Sequence, residues 1–298
     1  MQRIGELAAF GTAVVWTIGA LFFEQGVKRI GALSVNFFKV VFAFVLLTIT
    51  AAFLRGMPLP FDASLRNVIF LSLSGIVGFV VTDMFLFTAY GAIGPRITML
   101  IMALSPPVTA GIAYFFFDER LGSMGALGMS LVIIGICMTV FGRQNSVSIS
   151  KIDKVNKRGY IFAFIASIGQ SIGMILTKTG LGDYDPVSGT QIREIAAIIG
   201  FALVALVYDR GKGLIKAART FDGLKFTVGG SVFGPFIGVA LSLFAIQRIS
   251  AGIVSTLIGL TPVIIILPEI LLFKKKIKLL EIAGAVVAVT GTAIFFLW

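Results

Sequence analysis

Five ionisable side chains, Lys39, Asp83, Arg193, Glu194 and Glu269, fall within long apolar runs of the sequence. Placing a charge in hydrocarbon costs about 2.5–3.5 kcal/mol on insertion scales, so each is a candidate for function before any other residue is. Lys39 lies about six residues into the second run and Asp83 about five from the end of the third. Neighbouring spans run in opposite directions, so the two share one membrane level and can pair. Such a pair has two uses. It neutralises itself as a structural element, or it lines a cavity and opens to hold a zwitterion or pass a proton. Arg193 has no acid placed to match it. Glu194, next in sequence, points about 100° away around a helix, which leaves Arg193 to another partner or to a ligand anion. Glu269 lies close to Lys274 and is a hinge or gate candidate, with snorkelling to the interface as the alternative.

Polar and aromatic residues of the same runs complete the candidate pathway. Trp16, Phe87, Tyr90 and Gln170 are able to stack on or hydrogen-bond a ligand, although aromatic side chains in membrane spans also serve as packing or interface anchors. Pro106 and Pro262 fall inside the fourth and ninth runs. A proline within a helix frees a carbonyl one turn back, and a bilayer tolerates this only where protein, water or ligand satisfies it. Both prolines are therefore hinge or cavity candidates, with a structural kink as the alternative. Absences narrow the chemistry further. The chain has no histidine, which removes the commonest general acid/base at neutral pH. Its one cysteine, Cys137, permits no disulfide within the chain. No Walker-type glycine loop is present, so direct coupling to ATP is not expected. We expect no catalytic residue, no metal and no cofactor.

The elements that must position these residues follow from composition. Of 298 residues 57% are hydrophobic and 13% charged, far from the roughly 25% charge of soluble domains. Apolar runs of about 17–25 residues cross a bilayer as helices. Reading runs against turn signals predicts ten helices, near residues 6–24, 33–54, 67–88, 95–117, 122–141, 159–180, 187–208, 226–247, 250–273 and 278–298. The expected fold is an all-α membrane protein. A polar, basic stretch near its middle divides it into a first five-helix repeat over 1–142, a linker over 143–158 and a second repeat over 159–298.

An internal repeat supports that division. At an offset of 154, Ala9, Gly19, Gly26 and Ser34 meet Ala163, Gly173, Gly180 and Ser188, and Lys39 meets Arg193. At an offset of 156, Gly78, Leu104, Pro106, Gly128 and Gly135 meet Gly234, Leu260, Pro262, Gly284 and Gly291, and Ser105 meets Thr261. An odd number of spans per half inverts the second half relative to the first, the plan of many secondary transporters. Two inverted halves have two nearly equivalent packings, one open to each side. Asp83 has no acidic counterpart, since Val239 stands at its matched position.

The run Leu104, Ser105, Pro106, Pro107 followed by Phe117, Asp118, Glu119, Arg120, Leu121, together with Trp16, resembles the EamA-type family of the drug/metabolite transporter superfamily. The resemblance extends over almost the whole chain in length, helix number and duplication. It implies a ten-helix carrier that exports amino acids or other small metabolites, and it gives Glu119 a part in folding or gating. The second half departs from the pattern: Lys274, Lys275 and Lys276 stand where an acid matching Glu119 is usual, Glu269 lies just before them, and Gln170 replaces the tryptophan.

Topology signals conflict. Six basic residues lie on the side expected to carry both ends of the chain and seventeen on the other, so the positive-inside rule places the ends outside. The resemblance implies ends in the cytoplasm. The net charge of +11 comes from short loops and not from an amphipathic basic face, so nucleic acid is not an expected partner. The expected partners are a small-molecule substrate and membrane lipid, in the plasma (inner) membrane, with monomer and homodimer both open. A proton-coupled exporter working by alternating access is the leading expectation. A non-transporting accessory or receptor protein, or a membrane-embedded lipid enzyme, is the alternative.

Overall fold

The computed structural model describes residues 2–142, 157–264, 266, 268 and 278–297. Every regular element among them is helical. In hydrocarbon each backbone N–H and C=O must be satisfied within the protein, and a helix does this within one segment. The first half comprises α1 (Gln2–Ile30), α2 (Ala32–Arg55), α3 (Leu65–Gly75), a π-helical segment (Ile76–Val81), α4 (Thr82–Met102), α5 (Ser105–Phe117) and α6 (Ser123–Gly142). The second comprises α7 (Lys157–Leu181), α8 (Pro186–Asp209), a short α9 (Lys212–Ala218), α10 (Phe221–Ser231), a π-helical segment (Val232–Gly238), α11 (Val239–Ile246), α12 (Ala251–Ile258), α13 (Thr261–Ile264) and α14 (Leu279–Leu297). Among the described residues seven helical stretches are long and apolar enough to cross a membrane, including Leu65–Ala89 and Phe221–Ile246, and Leu279–Ile294 forms a shorter apolar helix.

Local sequence explains the ends. Gly31 alone separates α1 from α2 and adopts φ 79°, a conformation glycine reaches without penalty. Ser64 caps α3 in a reciprocal box with Asn67. Asp185 accepts from the Ser188 N–H ahead of α8, whose first residue is Pro186.

Two expectations about helix ends are corrected. A break was expected between residues 88 and 95, but α4 runs through to Met102. Gly94 and Pro95 do not end it, because a helix in a packed bundle tolerates one lost hydrogen bond. The break falls instead at Ala103–Leu104, ahead of α5. Its counterpart lies at Gly259–Leu260, ahead of α13. Pro106 is thus in the first turn of a new helical segment, and Pro262 is likewise second in its segment. There the missing N–H is one that no helix would use. The prolines begin segments at a discontinuity and do not kink continuous helices from within.

The two halves repeat finer detail. Both π-helical segments begin at matched positions, Ile76 and Val232. Each also meets the first helix of the other half at a close crossing. A Cβ on Gly173 would lie 2.8 Å from the Gly78 Cα, and one on Gly19 would lie 3.2 Å from the Gly234 nitrogen. Small residues let membrane helices approach this closely. The main apolar core includes Ala13, Leu71, Met129, Ile175, Leu243 and Leu257, drawn from both halves.

Candidate functional site

Where α2, α8 and the first π-helical segment meet, Val40, Val80, Ala197 and Phe201 form a separate apolar cluster. The four ionisable groups gather around it. Lys39 Nζ donates to Asp83 Oδ2 at 2.8 Å, and these side chains keep 16% and 17% of their exposure. Arg193 is buried, its guanidinium 4.5 Å from the centre of the Phe79 ring. Its Nε has no hydrogen-bond acceptor among the described residues. Glu194 is fully buried, neither carboxyl oxygen has a donor among the described residues, and Arg193, Lys39 and Asp83 lie within reach of its charge.

Depth separates the groups into two levels. Lys39 is the eighth residue of α2 and Arg193 the eighth of α8, so each lies about 10 Å along its helix from the start. Helix α8 starts beside the Glu119 loop and α2 starts at the opposite face. Tight packing fixes the Arg193 level, since a Cβ on Gly75 would lie 3.0 Å from the Arg193 Cα.

The face bearing Glu119 is tied across helices. Glu119 accepts from Lys178 with one oxygen and from the Ala251 N–H at 2.9 Å with the other. Lys178 also donates to the Ile249 carbonyl at 3.3 Å. Arg55 bonds Asp62 and Ser188, with Asp185 at 3.8 Å, and the Tyr184 hydroxyl donates to Asp62 at 2.9 Å. Gln191 donates to the Pro58 carbonyl at 2.8 Å, and Gln247 donates to the Gly182 and Tyr184 carbonyls at 2.7 Å. The Arg55 guanidinium holds the Asp62 carboxyl below the usual carboxylate range. Burial, with the Asp62 bond second, pushes the Tyr184 phenol up. Clefts of about 350 and 400 Å³ open on this face, lined by Arg120 and Arg248 among others, and neither reaches the four-residue cluster.

At the opposite face Lys28 to Glu24, Arg29 to Gln25 and Lys225 to Asp222 are bonds within single helices, while the Gly213 N–H donates to Asp209 Oδ2 at 2.7 Å and Thr139 Oγ1 to the Glu281 carbonyl at 3.5 Å between helices. Arg29 packs over Phe226 at 4.4 Å as a contact between helices.

Other expected residues scatter. The Trp16 indole packs against Gly238 at the end of the second π-helical segment. Gln170 and Phe87 are half-buried. The side chains of Tyr90 and Pro262 and the whole of Glu269 lie outside the described residues. Glu119 joins the cross-helix ties and not the central cluster.

Sequence reading missed two features. Ser171 Oγ donates to the Ser105 carbonyl at 3.0 Å, and Thr17 Oγ1 reaches the Thr261 carbonyl at 3.5 Å. Thr17 and Ser171 are related by the offset of 154 and Ser105 and Thr261 by that of 156, so hydroxyls of each first helix serve carbonyls at the other half's discontinuity. The signal was present as two hydroxyl residues in register, but membrane helices hold many hydroxyls bonded to their own backbone. The second feature is the cluster of Arg55, Asp62 and Tyr184, which in sequence looks like loop punctuation.

No curated protein matches the sequence. One solved crystal structure superposes with a TM-score of 0.77 at 16% identity, covering 99% of this chain and 96% of that one, a likeness of fold alone. The model of the EamA-like transporter family matches twice, over residues 3–141 and 157–297, once for each half of the repeat. Those two matches and the apolar helices identify a multi-pass membrane protein, and the chain belongs to the EamA-like transporter family.

Proposed function

We propose that the chain is a secondary carrier exporting amino acids or other small metabolites by alternating access, with protons as the coupling ion. It has ten membrane-crossing helices in two inverted five-helix halves, 1–142 and 159–298, joined by a basic linker, and acts in the plasma (inner) membrane. The observation that carries this reading is the cluster of Lys39, Asp83, Arg193 and Glu194 between helices of both halves. Ionisable groups at that depth mark a solute pathway more often than a structural core. The recurrence of π-helical segments and helix discontinuities at matched positions supports an architecture in which the halves exchange roles. Ties crowded on the Glu119 face support a state closed there, with the Lys39 level nearer to solution.

The test is uptake and efflux in proteoliposomes loaded with a panel of labelled metabolites. The reading expects one or a few compounds to move faster than in empty liposomes, with a rate that falls on Arg193→Ala. No flux above background for the whole panel would count against it.

A further inference from the structure

Within the central cluster three groups have company. Lys39 and Asp83 satisfy each other at 2.8 Å, and Arg193 rests on the Phe79 ring. Glu194 has none: it is 0% exposed, and both its carboxyl oxygens lack a donor among the described residues. An ionised carboxylate in that condition forfeits its hydration with no hydrogen bond in return. Helix α8 packs against α2, the α3 and π-helical run, α11 and α9. Lys39 of α2 and Asp83, in the first turn of α4 just after the π-helical run, lie within reach of the Glu194 charge, with Arg193 on its own helix. Helix α11 has no titratable residue, and Lys212 and Lys216 of α9 lie beyond the far end of α8. A membrane acid without a structural partner, beside one cation and near a self-satisfied pair, is placed to exchange a proton.

We propose that Glu194 is the proton-exchanging group of the transport cycle: its carboxyl O–H breaks to give a proton to water when the Arg193 level opens, and re-forms by taking a proton from water (as hydronium) that enters from the Lys39 level when the Arg193 level is occluded. This rests on the carrier reading above. The step balances, since the carboxyl becomes a carboxylate and water takes the proton. The four-residue cluster then alternates between one net positive charge and none. Asp83, which with Lys39 was the pair expected to be able to pass a proton, is already engaged by Lys39.

The test begins without a substrate. Infrared difference spectra of the purified full chain are recorded against pH, with and without ¹³C-labelled glutamate. A carboxyl lacking hydrogen-bond donors absorbs at the high-frequency end of the acid carbonyl region. The proposal expects such a band to appear and vanish with pH, to shift with the label, to be lost in Glu194→Gln and to persist in Asp83→Asn. In Glu194→Asp, which keeps a carboxyl should the amide variant fail to fold, the band remains but no longer responds to labelled glutamate. A band unchanged in Glu194→Gln, or still label-sensitive in Glu194→Asp, overturns the assignment. So does the absence of any label-sensitive titrating band. A second arm uses a compound that the metabolite panel has shown to move. A pH gradient drives its accumulation by the wild type, while Glu194→Gln only exchanges it, and accumulation by that variant overturns the proposal. A titrating Glu194 band in a chain that moves nothing would reject the carrier reading and with it the link to transport, leaving the proton site as the surviving result.

Discussion

Lys39 and Arg193 are the same position of a duplicated sequence, yet they have opposite surroundings. Lys39 lies under the face with fewer cross-helix ties among the described residues, keeps 16% exposure and holds a carboxylate at 2.8 Å. Arg193 lies beneath the cross-tied face, is buried, and has an aromatic ring in place of an acid. The immediate cause is one residue per half, since Asp83 is matched by Val239. Duplication therefore supplied two cations at mirrored depths, and loss of symmetry at one acid made one self-satisfied and the other available. Exposure at the two levels agrees with where the ties are.

The largest effect should come from breaking the satisfied member. Asp83→Ala leaves Lys39 charged and unpaired, which costs up to about 3–5 kcal/mol for a fully buried pair and less for one with 16% and 17% exposure. Arg193→Ala breaks no hydrogen bond to a carboxylate, although it removes the cation beside Glu194, and it loses the contact with Phe79, worth about 0.5–2 kcal/mol. Thermal unfolding of both variants in one detergent should therefore show a clearly lower midpoint for Asp83→Ala. Equal losses would mean that the two levels are not different in kind.

Next in size is the tie above Arg193. Glu119→Gln loses the charge facing Lys178 and weakens the acceptor of the Ala251 N–H, a loss of about 1–3 kcal/mol for a partly buried charged bond. If this tie closes the face, maleimide labelling of a cysteine at Ser250, in a Cys137→Ser background, should rise in Glu119→Gln while a cysteine near Gly31 is unaffected. Equal labelling of both sites in variant and wild type would detach Glu119 from closure.

Restoring symmetry is the sharper test. Val239→Asp puts an acid where the repeat relation expects the partner of Arg193, on a helix that packs against α8. In a double-mutant cycle with Arg193→Ala the coupling should be favourable by about 0.5–3 kcal/mol, the range for contacting residues. Zero coupling would show that the surroundings of Arg193 depart from the repeat by more than one side chain.

The pairing of Lys39 with Asp83 was legible because spacing from helix ends converts directly to depth. The duplication, which the family model matches twice, over residues 3–141 and 157–297, was legible in two offsets, 154 and 156, that hold over many residues. The unbroken α4 was not, since Gly94–Pro95 has turn chemistry and only packing decides whether it ends a helix. The partnerless state of Glu194 was not legible either. Sequence gives its angle from Arg193 on the helix, but whether another helix supplies a donor depends on side chains brought in by α2 and the π-helical run. The cross-helix ties of Arg55 join helix ends more than a hundred residues apart, and no local pattern announces such a contact.

The smallest effect concerns Asp62, at the edge of the tied face. Its carboxyl is held below the usual range by Arg55 and also accepts the Tyr184 hydroxyl. A carboxyl with a lowered native value adds stability that is complete above its unfolded value, about 3.9, and is lost as pH falls through the native one. The side chain is 36% exposed, so solvent screening keeps the contribution below about 1 kcal/mol. Asp62→Asn should therefore melt slightly below wild type at neutral pH, and the gap should close as the pH drops below the ordinary carboxylate value. If the ties at this face act together, reaction of the cysteine at Ser250 with a pyridyl disulfide, which modifies thiols in acid, should rise in wild type over the same acid range and be constant in Asp62→Asn. A gap that is independent of pH would mean that Asp62 acts through its shape and hydrogen bonds and not through its charge, and the contrast between the two faces would then owe nothing to that ion pair.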